Sequence, residues 1–404
     1  MSELLNSSDE RVDALYNMFA GFIEKKDGRE LWDEYKHKLD ALTPVDVLLM
    51  GDKLLEAGYS VEQITDHVEK IFNVIIPTLK EYDWNEPEEG SALYYLMEEN
   101  AALSECMNEM KDSIRAISKL EPNEPEYASV LNEMKEEFKK LAEFEPHYVK
   151  TENVLFPYLE KKWEFSKPLT VLWAVNDEIR NQIKKVNKML SESKEIEIEH
   201  HQEIGTIFML MMRMTLKENL IIFPAAAATL SEEDSKEMLP QMADIGFCLI
   251  DPPKIDKMIN EIPELSNEIV SMGGTGALTA EQIVTMMNHL PVDITFVDEN
   301  DEVRYFSNPK ERFFTRSPAI IGRKVQNCHP PDSVDTVLKI VEGFKNGKKD
   351  TASFWIRMMG KVIMINYYAL RDAKGTYKGT IEVSQDITDI QKLEGEQRLL
   401  DWED

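Results

Sequence analysis

Residues 168–190 read PLTVLWAVNDEIRNQIKKVNKML, and Leu172, Val175, Ile179, Ile183, Val186 and Leu190 recur at steps of three and four. That is the period of an α-helix with one face buried along its whole length. Working outward, the same period predicts helices near 91–119, 126–160 and 196–223. Four long helices with short connections are most economically an antiparallel bundle. The last of them carries Met209, Met211, Met212 and Met214, a run that reads as adaptable core packing.

Towards the N-terminus, residues 1–84 read as shorter helices, opened by an amphipathic segment with Leu4, Leu5, Val12, Leu15, Phe19 and Phe22. In the stretch LTPVDVLLMGDKLLEAGYSVEQITDHVEKIF, Thr43 is a natural cap, Pro44 suits a first helical turn, Gly58 ends that helix and Ser60 caps the next. NEPEEG at 85–90 breaks the pattern and marks a boundary. Beyond 235 the helical period weakens, and DPPK with the glycines of MGGTGALT reads as a linker over 236–276.

After Leu278 the period changes. A helix, LTAEQIVTMMNHL, precedes DITFVDENDEVRYFS, in which Ile294, Phe296, Val303 and Tyr305 alternate around the polar turn ENDE. PDSVDTVLKIVEGFKNGKK follows as a helix capped by Asp332 or Ser333, with Val334, Val337, Leu338 and Val341 as its apolar stripe and Gly347 as its stop. TASFWIRM, KVIMINYYAL and YKGTIEVSQDIT are three further strands. The order β-β-α-α-β-β-β predicts an α+β domain whose helices pack on one five-stranded antiparallel sheet, with Trp355, Tyr367 and Tyr368 in its core. The division is 1–85 small helical domain, 90–235 bundle, 236–276 linker, 277–396 α+β domain and 397–404 tail.

Composition narrows the function. A formal net charge of −29 repels phosphate backbones and anionic lipid heads, so neither nucleic acid nor membrane is an expected partner. The opening MSELLNSSDERVD has no basic or apolar secretory pattern, and the longest apolar run, from Leu220, is too short to span a bilayer. Cys106, Cys248 and Cys328 lie far apart and fit a reducing compartment, so a cytoplasmic protein is expected. GxSxG, a phosphate-binding loop and HExxH are all lacking, and the chain reads as a non-enzyme.

Two resemblances add to this. LPVDITFVDENDEVRYFS, IIGRKVQNCHPPDSV and YKGTIEVSQDITDIQKLEGEQRLL resemble a PAS domain of the type found at the end of hemerythrin-like proteins. MEENAAL, HYVKTENVLFPYLE, LWAVNDEIR and KENLIIFP resemble a hemerythrin-like (HHE cation-binding) four-helix bundle, and 43–72 resembles the small helical domain that often precedes one. The bundle resemblance implies a di-iron centre of inward-pointing His and carboxylates. This chain departs from that pattern at most slots. Ser91 and Ala92 replace a His-Pro pair, Tyr94 stands where a second His often sits, and Asn176 precedes Asp177. Met214 and Asn219 fill the fourth-helix slots, while Thr65 and Val68 replace the small domain's usual Cys and His.

The residual metal candidates are His147, Glu152 and Glu218, with Glu99 and Asp177 as replacement ligands. Residues five apart on an α-helix diverge by about 140°, so His147 and Glu152 share one ion only where the helix bulges. Otherwise His147 is a hydrogen-bonded core histidine, and His200 and His201 are solvated surface beside a glutamate run. In the PAS part, Cys328 and His329 are the cofactor-binding candidates, His329 as a haem ligand. The other reading of CHPP is a rigid turn set by Pro330 and Pro331. Light-oxygen-voltage domains place a reactive Cys three residues after the glycine of this segment, where this chain has Val325.

The resulting expectation is a cytosolic sensory or regulatory protein. Its PAS domain binds a small ligand or a partner, itself included, and is coupled to a bundle with a largely degenerate metal site. DIQKLEGEQRLLDWED is expected as the PAS exit helix, with output through association. No cofactor is fixed by the residues, iron and haem being those the families imply. The alternative is a non-haem iron protein that senses or scavenges oxygen, nitric oxide or peroxide.

Overall fold

The computed structural model describes residues 2–252, 268–310, 312–358 and 360–396. The chain divides into two compact units, Met1–Met258 and Ile259–Asp404.

The first unit is helical. Its opening helices are α1 (Ser2–Ile23), α2 (Gly28–Tyr35), α3 (Pro44–Glu56) and α4 (Val61–Lys80). Both expected caps are present as capping boxes: Thr43 pairs reciprocally with Asp46, and Ser60 with Gln63. Asp46 is buried and also accepts from Arg11 at 2.7 Å, which ties the start of α3 to α1. Thr43→Ala removes one half of the box and should lower stability by about 1 kcal/mol, read from urea unfolding; an unchanged midpoint would show that the cap contributes nothing. Gly58, at φ +92°, ends the turn after α3.

The bundle follows as α5 (Ala92–Ile117), α6 (Tyr127–Leu141), α7 (Glu145–Lys150), α8 (Phe156–Lys162), α9 (Pro168–Glu192), α10 (Ile198–Lys217) and α11 (Phe223–Ala227). A π turn, Thr151–Leu155, joins α7 to α8, and a second, Glu218–Ile222, joins α10 to α11. On α9, Val175, Ile179, Ile183, Val186 and Leu190 are all buried, as their period requires. The methionine run divides: Met211 and Met214 are buried, Met209 and Met212 exposed. At Gly51 a Cβ would stand 3.1 Å from Pro168, so α3 approaches α9 closely there.

The segment read as a linker begins inside α12 (Glu232–Ile245), whose Met238 and Met242 form a buried i,i+4 pair behind a Ser231 capping box. Cys248 is also buried. Residues 253–267 of that segment lie outside the described residues. Among the described residues, no helix is long and apolar enough to cross a membrane.

The second unit opens with a hairpin, β1 (Ile269–Ser271) and β2 (Ala277–Thr279), and α13 (Ala280–His289). The main sheet contains β3 (Asp293–Asp298), β4 (Val303–Phe306), β5 (Thr351–Met358), β6 (Lys361–Arg371) and β7 (Tyr377–Asp386), in the antiparallel order β4-β3-β7-β6-β5. Gly379 of β7 sits at φ +141° opposite Asp298, where a Cβ would stand 2.3 Å from the Val297 carbonyl oxygen. The central strand pair therefore needs glycine at that position.

Four expectations are corrected here. Between β4 and β5 there is one α-helix, α14 (Pro331–Lys345), preceded by two short 3₁₀ turns, Pro318–Ile320 and Val325–Cys328, where a second helix was expected. Pro330 is the N-cap of α14, and the Ser333 hydroxyl donates back to its carbonyl; the side chain of Asp332 lies outside the described residues. Tyr367 is buried, but Trp355 is 67% exposed and Tyr368 is exposed as well, because both fall in the outward phase of their strands. Within 389–396 the expected exit helix is only a 3₁₀ turn, Ile390–Lys392, and residues 397–404 lie outside the described residues.

Candidate functional site

His147 is fully buried at the centre of the bundle. Its ring stacks on Phe144 at 4.6 Å between centroids. The imidazole bridges two helices: Nδ1 lies 2.8 Å from Glu99 Oε2 of α5, and Nε2 lies 3.0 Å from Glu218 Oε2 of the second π turn. Burial pulls the His147 pKa down, but the two carboxylates more than reverse this and push it up to about 9. At neutral pH the ring is thus an imidazolium that donates from both nitrogens.

Lys150, three residues on and so on the same face, completes the group. Its ammonium is fully buried and donates to Glu99 Oε1 and to the Gly246 carbonyl, each at 2.6 Å, beside the face of Phe247. The Cys248 backbone N–H donates to the same Glu99 oxygen at 2.9 Å. Burial pushes Glu99 up, and His147 and Lys150 together hold it below the usual carboxylate value. Two buried carboxylates thus face two buried cations.

Glu152 belongs to a second group. It is buried, as its neighbour Thr151 is, and the π turn supplies the distortion that the His147–Glu152 spacing calls for. The two side chains nonetheless serve different partners. Arg180 of α9 grips both Glu152 oxygens, at 2.8 and 2.9 Å, and Asn176 donates to Oε1 at 2.9 Å. Arg180 also pairs with Asp177 and Glu145. Burial pushes the Glu152 carboxyl up to about 7, with the Arg180 fork and Asn176 opposing it.

Of the residues read as ligands, the structure therefore brings Glu99, His147 and Glu218 together and holds Glu152 and Asp177 in a separate ion-paired group. A di-iron centre does not fit this donor set. Both nitrogens of His147, both oxygens of Glu99 and both oxygens of Glu152 already bond within the protein. Among the described residues no three His, Cys, Asp or Glu side chains are placed to hold a metal ion. Glu218 Oε1, Asn100 Oδ1, Asn176 Oδ1 and the Tyr148 hydroxyl are buried without a hydrogen-bond partner in the protein, which suits them to water.

Lys150, Arg180 and Asn100 were not singled out in the sequence, although HYVK and NDEIR place each cation on a ligand-bearing face, and Asn176, noted there only as a departure from the pattern, donates to Glu152. His200, expected on the surface, is buried. It closes the start of α10 by accepting from the Glu197 backbone N–H at 3.1 Å and bonding to Ser193. Cys328 is buried among Val297, Ile320, Val325 and Val341. His329 bonds through Nδ1 to the Val325 carbonyl at 2.8 Å, within its own turn. The nearby cavity, lined by Val297, Val325, Tyr367, Thr380 and Glu382 among others, has a volume of about 10 Å³ and includes neither residue in its lining. That cavity has room for about one water and does not admit haem.

Comparison with known proteins agrees with this architecture. The sequence model of the hemerythrin HHE cation binding domain matches residues 91–226, and that of the PAS domain matches residues 283–388. No curated protein matches the chain. Among solved structures it is similar to a C-terminal domain from Streptococcus mutans, with 34% identity over 32% of this chain and 98% of that one and a TM-score of 0.30. It is also similar to a PAS domain from Colwellia psychrerythraea, with 16% identity over 27% of this chain and 97% of that one and a TM-score of 0.23.

Proposed function

We propose that this chain, which carries a hemerythrin HHE domain at 91–226 and a PAS domain at 283–388, is a sensory or regulatory protein whose bundle is held by internal ion pairs in place of a metal centre. The observation that carries this reading is the pair of interior cations. Lys150 occupies Glu99, read as a replacement ligand, and Arg180 occupies Glu152, the carboxylate kept from the family pattern. In this reading the bundle is a scaffold or a partner-binding module. The PAS domain supplies input or association, since PAS domains commonly mediate protein interaction. The cavity beside Val325 and Tyr367, at about 10 Å³, supports a protein partner or a second copy over a bulky cofactor there. The domain limits 1–85, 90–235 and 277–396 are our working division.

A second reading, a non-haem iron protein that senses or scavenges oxygen, nitric oxide or peroxide, is favoured by one feature. Each of the two candidate ligand segments contains a π turn, a distortion frequent at functional sites, and unpartnered oxygens lie beside both. One measurement separates the two readings: elemental analysis for iron, manganese and zinc, with an absorption spectrum, on full-length protein purified without oxygen. The ion-pair reading expects far less than one metal per chain and no visible absorption. Two irons per chain would replace it with the second reading.

A further inference from the structure

Where α1, α3 and α4 meet α9 and the second π turn, the first unit forms a partly open apolar cavity of about 80 Å³. Its walls include Leu54, Ile71, Phe72, Ile75, Val175 and Ile221, all buried. Lys217 is its only charged lining residue among the described residues, and its ammonium lies 5.8 Å from the Phe72 ring centroid. The interior is otherwise entirely apolar or glycine.

Three properties bear on what the cavity takes. Its walls offer no set of donors or acceptors, so water gains little there and a polar solute loses its hydration without compensation. An apolar cavity of about 150 Å³ takes benzene, so about 80 Å³ with one side open sets a single aromatic ring as the largest occupant it takes. An unfilled apolar cavity also costs stability in proportion to its volume, and an apolar occupant recovers that cost. The position adds a consequence. Ile221 and Ile222 line the cavity from the π turn whose first residue, Glu218, pairs with His147. One short segment thus borders both the cavity and the central ion pairs.

We propose that this cavity is a binding site for a small neutral apolar molecule, of the size and chemistry of a single aromatic ring. The site is independent of the metal question and of the PAS domain. An occupant would fix the opening helices against the bundle and be felt by the π turn.

The test uses full-length protein with its Ile, Leu and Val methyl groups labelled, titrated with benzene and followed by NMR. The expected result is saturable shifts confined to lining methyls such as Ile71, Ile75, Val175 and Ile221. Val175→Phe, which fills the cavity, should weaken binding by at least about tenfold. Val68→Phe, at a half-buried wall position, is the second filling variant should Val175→Phe fail to fold. Wild-type protein that shows no saturable shift at these methyls up to the solubility of benzene overturns the proposal. So does a folded, filled variant that binds as tightly as wild type.

Discussion

Lys150→Met is expected to lower the unfolding free energy by about 3 kcal/mol, and by up to about 5 kcal/mol if the neighbours do not relax. Methionine keeps most of the side-chain volume, so the loss is electrostatic more than steric. Lys150 sits at 0% side-chain exposure, and so does Glu99, its partner at 2.6 Å. Removing the ammonium leaves Glu99 with His147 and the Cys248 N–H, one positive charge short, and leaves the Gly246 carbonyl without its donor. Urea unfolding of the single and double variants with Glu99→Gln would separate the pair from the packing. A coupling energy near zero would mean that the two side chains are merely neighbours.

The second large effect is on pH. The His147 pKa is raised from 6.5 to about 9, so its contribution to stability is complete below pH 6.5 and is lost as pH rises through about 9. The expected loss across that window is about 3 kcal/mol. Among the described residues, six titratable groups lie at the ring, at its partners or close by. Glu99 is held low and titrates in acid, and Glu218 is the other carboxylate at the imidazole. Lys150 pairs with Glu99, while burial pushes Cys248 and Tyr148 upward, out of the window. Glu152, pushed up to about 7, titrates at the lower end of the window, and His147→Gln retains it, so the comparison with the variant separates its contribution from that of His147. The measurement is urea unfolding at about pH 6 and about pH 9 for wild type and His147→Gln. Wild type should lose stability more steeply than the variant, and parallel profiles would remove His147 from the account.

Much of the architecture was readable from periodicity. All six α9 positions named from their spacing are buried, and TASFWIRM and KVIMINYYAL fall on β5 and β6 within a residue. Local chemistry also carried: Thr43 and Ser60 sit where a capping box needs them. The site was half legible. His147, Glu99 and Glu218 were named, and the spacing of His147 and Glu152 called for a bulge that is present at Thr151–Leu155. What the sequence did not disclose was partner choice. Whether Glu152 meets His147 or Arg180 depends on how α7 and α9 face each other, a long-range relation that no local period encodes. Lys150 was passed over because a lysine is usually solvated, and only tertiary contacts show it to be buried. Trp355 failed for a different reason: its strand alternates, with Ala352, Phe354, Ile356 and Met358 on one face and Thr351, Ser353 and Arg357 on the other, and Trp355 shares the polar face despite its size.

The strand order of the sheet bears on how the second unit is made. β3 and β4 form one hairpin and β5 and β6 another, and β7 is the strand that joins them, through pairs such as Ile294 with Val383 and Tyr368 with Ile381. On the ribosome both hairpins emerge early, each with an inner edge of unpaired N–H and C=O groups. Neither edge closes until the residues from Tyr377 onward leave the exit tunnel. Nucleation of this sheet therefore waits for its final strand, in keeping with the slow folding of non-local β topologies. A chain interrupted before Tyr377 would be two sticky ribbons open to intermolecular pairing, and a target for holdase chaperones.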